Sequence, residues 1–349
     1  MDAPTRRSFV AALVAGSSGC VGRGGPLGTE VSRAQRDGAR FDVEATRRSF
    51  DLRRTSFEHH PQFILGRREA PRCLYDLGDV SGIEEVQTAT IDGETGQMPI
   101  RTFRAMMRLT HCYRERGADP FLSKAMSIGE AALDNATRVE GVPYFPYTMP
   151  KGGSSAEMEP PWYSGMAQGT ALSAYVRLYE HTGDVRHKWI ADAVAESFGR
   201  IPRATDGPWT VMVDDGYYWI EEYPADPPTH VLNGFLVGLW GLYEYWLVFD
   251  EPDWVERLLN AAITTVYDHL SEYRVPGEVS WYGLDKEAGY RGNETYHAVH
   301  THQIGVLYHL TGDDYFRTME RRFESDSAES SGYETPPSEW KHAGGERAD

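Results

Sequence analysis

Apolar residues recur at a helical period in four paired segments of this chain. The first pair is predicted over about 102–116 and 120–138, turning at GADP, and the second over 165–181 and 185–199, turning at TGDV. The third covers 230–249 and 253–272 and turns at FDEPD. The fourth begins near Tyr296, turns at TGDD and continues to about Phe323. The turn aspartates Asp119, Asp184, Asp250 and Asp313 are spaced by 65, 66 and 63 residues, the signature of one supersecondary unit repeated four times. The turns read as a Gly that ends one helix and an Asp fit to cap the next.

The two members of a pair differ. First helices such as VLNGFLVGLWGLYEYWLVF are apolar nearly all round, whereas second helices such as VRHKWIADAVAES are amphipathic. That difference places the first set inside and the second outside. It predicts a mainly α fold, an α/α toroid of four helix pairs over 100–324. Aromatic, β-prone stretches between the pairs (GVPYFPYTMP, PWTVMVDDGYYWIEEYP and GEVSWYGLD) read as hairpin insertions, and residues 46–99 as a small β-prone region. Val231 to Phe249 also has the length of a membrane span, with a Gly234-xxx-Gly238 pair. It holds Asn233 and Glu244, however, and a toroid core explains the same apolarity.

Composition bears on the surroundings more than on the fold. The 349-residue chain has a net charge of −17, and Lys occurs only at positions 124, 151, 188, 286 and 341, so 30 of its 35 basic residues are Arg. An acidic, lysine-poor surface suits concentrated salt and points to a halophilic host. No basic stripe offsets the acid, which argues against nucleic acid as a partner. At the N-terminus, TRRSFVAALVAGSSGC sets Arg6-Arg7 before an apolar run, small residues and Cys20. This order predicts a twin-arginine export signal over 1–20 with lipidation of Cys20. The product would be secreted or held at the cell surface, touching a membrane only through that lipid. TRRSF recurs at Thr46 to Phe50 with no apolar run after it, so position and context carry the reading. Residues 21–45 read as a tether and 325–349 as a disordered tail. With Cys20 lipidated, Cys73 and Cys112 remain, and the sequence leaves open whether they form a disulfide or stay as buried thiols.

Candidate chemistry collects where the inner helices begin. PWYSGMAQG contributes Tyr163 and Gln168, and WIEEYPADPPTHVLNG contributes Glu221, Glu222, Tyr223, His230 and Asn233. SWYG adds Tyr282, and NETYHAVHTHQ adds Tyr296, His297 and His300. Such positions on a rigid scaffold are where functional groups are presented. Tyr163, Gln168, Asn233, His297 and His300 are therefore expected to contact a substrate in a shared cavity. Neighbours on an extended strand face opposite ways, so one of Glu221 and Glu222 turns away from it. His297 and His300 lie one helical turn apart, but no convergent Cys or carboxylate accompanies them. Neither a metal nor another cofactor is expected.

The blocks PWYSGMAQGTALSAYVRLYEHTGD, EEYP followed by VLNGF, WYGL and YHAVH resemble the C-terminal domain of the D-glucuronyl C5-epimerases, in order and at similar spacing from about Tyr144 to Phe316. The resemblance implies an incomplete α/α toroid, in a homodimer, that converts D-glucuronate to L-iduronate within a heparosan-like or other anionic uronate polysaccharide. It also implies a catalytic set of Glu222 and Tyr223 from EEYP, Tyr282 from WYGL and Tyr296 from YHAVH. Where the family typically has an arginine soon after the WYGL tyrosine, this chain has Asp285 and Lys286. Lys286 or Arg291 is then expected to hold the substrate carboxylate.

Inverting C5 of a uronate means removing a weakly acidic proton beside the carboxylate and returning one to the opposite face. That requires two proton carriers: tyrosine serves if its pKa is brought toward the working pH, and glutamate if burial raises its own. Donors must also stabilise the carboxylate as charge builds on it. A polysaccharide lyase would share the first step and then expel the C4 substituent. A glycoside hydrolase would need two convergent carboxylates, and only Glu222 has a clear claim. A surface protein that binds polyuronate without catalysis would keep the cleft alone.

Overall fold

The computed structural model describes residues 43–55, 73, 75–91, 93–151, 156–201, 207–285 and 292–331, with side chains through 326. Eight α-helices of the described residues fall in the four expected pairs: α1 (Pro99–Arg116) with α2 (Asp119–Asp134), α3 (Gly165–Thr182) with α4 (Val185–Glu196), α5 (Leu232–Val248) with α6 (Asp253–Tyr273), and α7 (Glu294–Thr311) with α8 (Asp314–Ser331). Helices α1, α3, α5 and α7 pack side by side in chain order, each with its even-numbered partner against it, and no comparable α7–α1 packing closes the ring.

The glycine half of the expected turn chemistry holds in three pairs and fails in one. Gly117, Gly183 and Gly312 adopt φ of 63°, 65° and 66°, a left-handed conformation that L side chains resist. Each donates its amide at 2.7 Å to the carbonyl four residues back, which closes the helix. The third turn has no glycine; Asp250 and Glu251 take φ of 59° and 54° instead. Only two of the four turn aspartates act as caps, Asp184 accepting from the Arg186 amide and Asp313 from that of Tyr315, both at 2.9 Å. Asp119 already lies inside α2, and Asp250 precedes the α6 N-cap, Pro252, by two residues.

Helix α5 forms the centre of the molecule, with every residue from Leu232 to Leu247 buried. Its glycines admit neighbouring backbone: a Cβ on Gly169 of α3 would stand 2.5 Å from the Gly238 Cα. Glu244, the charge inside this apolar helix, meets Arg177 of α3 in a fully buried two-point ion pair, with Nη2 2.9 Å from Oε1. No described helix is long and apolar enough to cross a membrane, and the apolar residues of α5 are buried in the protein core.

Several expectations need correcting. α2 stops at Asp134, short of 138, because β3 (Thr137–Val139) turns back to pair with β4 (Val142–Tyr144). The second aromatic stretch is a hairpin, β5 (Val211–Asp214) with β6 (Tyr217–Ile220). The third is not: residues around Tyr282 lie along the 229–232 segment, the Leu232 amide donating to the Tyr282 carbonyl at 3.2 Å and that of Leu284 to Thr229 at 3.0 Å. Among described residues of 46–99, only β1 (Thr88–Ile91) and β2 (Glu94–Gln97) are strands.

Residues 43–55 form an extended strap across the helices and are not the free end of a tether. Val43 is buried, the Arg48 amide bonds Thr264, and the Phe50 amide bonds Asn260. At the other end α8 runs to Ser331, so residues 325–331 are helical rather than tail. Asp326 is buried there, bound by Arg274 at 2.6 and 2.8 Å. Cys73 and Cys112 form a disulfide that ties the segment before β1 to α1. Closing a loop over a separation of 39 residues stabilises the fold by about 4 kcal/mol on a chain-entropy model. The export signal, Cys20, most of the tether, Lys286 and Arg291 lie outside the described residues.

Candidate active site

β6 ends at Ile220, and the chain continues as Glu221–Glu222–Tyr223 over the start of α3. There the Gly165 amide donates to the Glu221 carbonyl at 2.7 Å, and a Cβ on Gly165 would press into Ile220 and that carbonyl. The two carboxylates then part, as alternation on an extended segment requires. Glu221 is wholly buried and accepts from His230, with Nδ1 at 2.6 Å and the backbone amide at 3.2 Å. His230 also reaches Asp214 at 3.2 Å and stacks on Trp219 with ring centres 3.8 Å apart. Although burial pulls the His230 pKa down, its carboxylate partners raise it overall. Glu221 thus anchors the corner to its own hairpin.

Glu222 turns to the other side, into a cluster drawn from distant segments. Tyr282 donates its hydroxyl toward both Glu222 oxygens at 3.3 Å, and Asn233 Nδ2, in the first turn of α5, donates at 3.4 Å. Tyr223 also hydrogen-bonds both Glu222 and Tyr282. Tyr296, in the first turn of α7, sets its ring edge-on to Tyr282, centres 4.6 Å apart. Gly234 leaves the space that the carboxyl occupies, since a Cβ there would stand 2.6 Å from Glu222 Cδ. Glu222 and Tyr282 are 3% exposed, whereas Tyr223 and Tyr296 are half-buried.

Burial raises the Glu222 pKa to about 7 despite the hydroxyl donors, Arg104 and Lys151. The same burial, reinforced by the Glu222 charge, pushes the Tyr223 and Tyr282 hydroxyls up. The expectation that a tyrosine would be brought toward the working pH therefore fails for these two: they are neutral donors, and the carboxyl is the group poised near neutrality.

Two cations and one wall were not foreseen. Arg104 of α1 lies close enough to Glu222 to be acted on by its charge, and burial lowers the Arg104 pKa. Lys151 holds its ammonium 4.7 Å from the Tyr223 ring centre. Tyr147 stacks on Trp162 at 3.9 Å, with Tyr223 tilted against Trp162 at 5.9 Å. A signal for Arg104 existed, because Ile100, Phe103 and Met107 mark the same stretch of α1 as its buried side.

The remaining candidates are committed to architecture. Gln168 is buried, its amide bonded to Phe145, Pro143 and Ser197, which pins the β3–β4 hairpin to α3 and α4. Tyr163 bonds Thr137 at 2.9 Å in that hairpin. His297 accepts from the Ser280 amide at 2.9 Å and donates to the Phe323 carbonyl at 2.8 Å. His300 is wholly buried against Ser280, and burial lowers its pKa to about 3. None of these four contacts Glu222, so of the five predicted substrate contacts within the described residues only Asn233 joins the cluster. Among the described residues no three His, Cys, Asp or Glu side chains converge on a point where a metal ion would fit.

Fold and site together define an α/α-toroid protein with a carboxyl–tyrosine cluster where its inner helices begin. Residues 142–325, just over half of the chain, match the family described as D-glucuronyl C5-epimerase C-terminus, and the chain belongs to that family. The D-glucuronyl C5-epimerase of Caenorhabditis elegans is 32% identical over 172 residues, 45% of this chain and 27% of the relative. An uncharacterized protein of Methanocaldococcus jannaschii is 27% identical over 157 residues, 44% of this chain and 49% of that one. The chain thus matches half or less of the length of these curated relatives. Among solved structures, a cellobiose 2-epimerase from Spirochaeta thermophila superimposes with a TM-score of 0.49 at 12% identity, covering 69% of this chain and 58% of the other.

Proposed function

We propose that this protein is a uronate C5-epimerase acting on a glucuronate-containing polysaccharide outside the cytoplasm. The observation that carries the reading is Glu222, a buried carboxyl with a pKa near 7 held by two tyrosine hydroxyls. Such a group accepts a proton at neutral pH without being a weak base, which suits removal of a proton beside a carboxylate. Glu222 and Tyr223 serve one face of the sugar ring, with Tyr282 steadying the carboxyl. Tyr296, half-buried beyond the Tyr282 ring, delivers the proton to the other face. Family membership supports the same assignment. A lyase would begin identically, and the two are separated by outcome. Incubation with heparosan and other uronate polymers in heavy water and high salt is expected to place deuterium at C5 and produce iduronate signals by NMR, with no chain cleavage. Ultraviolet absorbance from an unsaturated uronate would show a lyase instead.

A further inference from the structure

Arg104 is a half-buried cation with no anion bound to it among the described residues. Its Nε is buried and hydrogen-bonds to nothing among the described residues, and none of their ion pairs includes it. A guanidinium stays protonated even when burial opposes its charge. The acidic group it senses is Glu222, which is neutral through much of the range below pH 7 and so answers the cation only in part. Ile100, one helical turn before Arg104 on the same face of α1, packs in one cluster with Tyr147, Trp162 and Tyr223. That packing sets Arg104 beside the site, on a helix that lies before the family-matched span.

We propose that Arg104 is the carboxylate-binding subsite of this protein, receiving the substrate's uronate group in its guanidinium fork. The inference rests on the uronate reading above for its ligand. A planar fork of N–H donors matches a carboxylate at two points, which a lysine cannot do. The match matters for rate as well as binding. When the C5 proton leaves, negative charge moves onto the carboxylate oxygens, so a fork already aimed at them stabilises the anion more than the ground state. Lys151, half-buried beside Tyr223, lines the approach to the same group.

The test measures carboxylate preference in binding, which does not depend on turnover. Octasaccharides of heparosan and hyaluronan, with their carboxyl-reduced counterparts, are titrated into the full chain and into Arg104→Gln. The unsubstituted protein is expected to prefer an acidic form by about tenfold or more, the scale of one charge-assisted contact. Arg104→Gln should bring that preference below about twofold while leaving affinity for the reduced form unchanged. Should Arg104→Gln not fold, Arg104→Lys decides: it keeps the charge without the fork and should show an intermediate preference and a raised KM. Full preference in whichever variant decides, or none in the unsubstituted protein with either polymer, overturns the proposal. Preference that Arg104 controls, without any C5 exchange, would sink the epimerase reading and leave the subsite standing. Exchange with preference untouched in Arg104→Gln would do the reverse.

Discussion

Glu222 and Glu221 are adjacent and both buried, yet they serve different ends because their partners differ. Glu221 is hydrogen-bonded by the His230 ring and amide, while Glu222 has hydroxyls, an amide and the charge of a guanidinium nearby. A base works only when ionised, and burial holds Glu222 protonated up to about pH 7. kcat/KM for C5 exchange should therefore rise roughly tenfold per pH unit below that value and level off above it. Glu222→Gln should flatten the profile and lower it by about 10² or more, and Tyr223→Phe and Tyr296→Phe should also lose most exchange while melting normally. A rising limb that survives in Glu222→Gln would remove Glu222 from its role. That Glu222, Tyr223, Tyr282 and Tyr296 come together was legible from motifs, but the contacts of Gln168, His297 and His300 were not. A polar residue where an inner helix begins is needed equally to face a ligand or to satisfy the polar groups of a packed loop, and here all three bond such groups. Arg104 went unread for the converse reason, since an arginine within a helix ordinarily snorkels to water.

At the scale of elements, the β5–β6 hairpin and helix α5 fix the site between them. The hairpin carries Glu222 to α5, and α5 receives it only because position 234 has no side chain. Gly169, Gly238 and Gly241 do a different job, letting α3 and α5 touch backbone to backbone. Two substitutions of the same chemistry should then separate function from fold. Gly234→Ala is expected to displace the carboxyl and reduce exchange strongly with a small change in melting temperature. Gly169→Ala should force the helices apart and cost about 1–3 kcal/mol, the range of overpacked cores. Equal thermal losses in both, read by calorimetry with exchange rates alongside, would contradict this division. The small-residue spacing in α5 was visible in the sequence, but spacing alone does not say whether a glycine meets a helix, a hairpin or a carboxyl.

For the whole molecule, the repeat of turn aspartates and the contrast between inner and outer helices were enough to read four pairs and their order. Less legible were segments whose conformation is set by what they lie against. Residues 43–55 have no periodicity of their own and are held by Thr264, Asn260 and the Leu310 carbonyl. The stretch around Tyr282 looked like a hairpin and instead pairs with the chain entering α5.

The burial of Glu222 also reaches beyond the reaction, into the durability of the fold. Its native pKa of about 7 lies above the ordinary 4.5, so its contribution to stability is full below pH 4.5 and is lost as pH rises through 7. The loss amounts to about 3 kcal/mol. Glu222→Gln cannot ionise, and it should melt several degrees above the unsubstituted protein at pH 8, with the gap shrinking toward pH 5; equal melting at both values would refute the coupling. The variant that surrenders the chemistry should thus be the sturdier protein in alkali, and the native chain keeps its working carboxyl at the expense of robustness there.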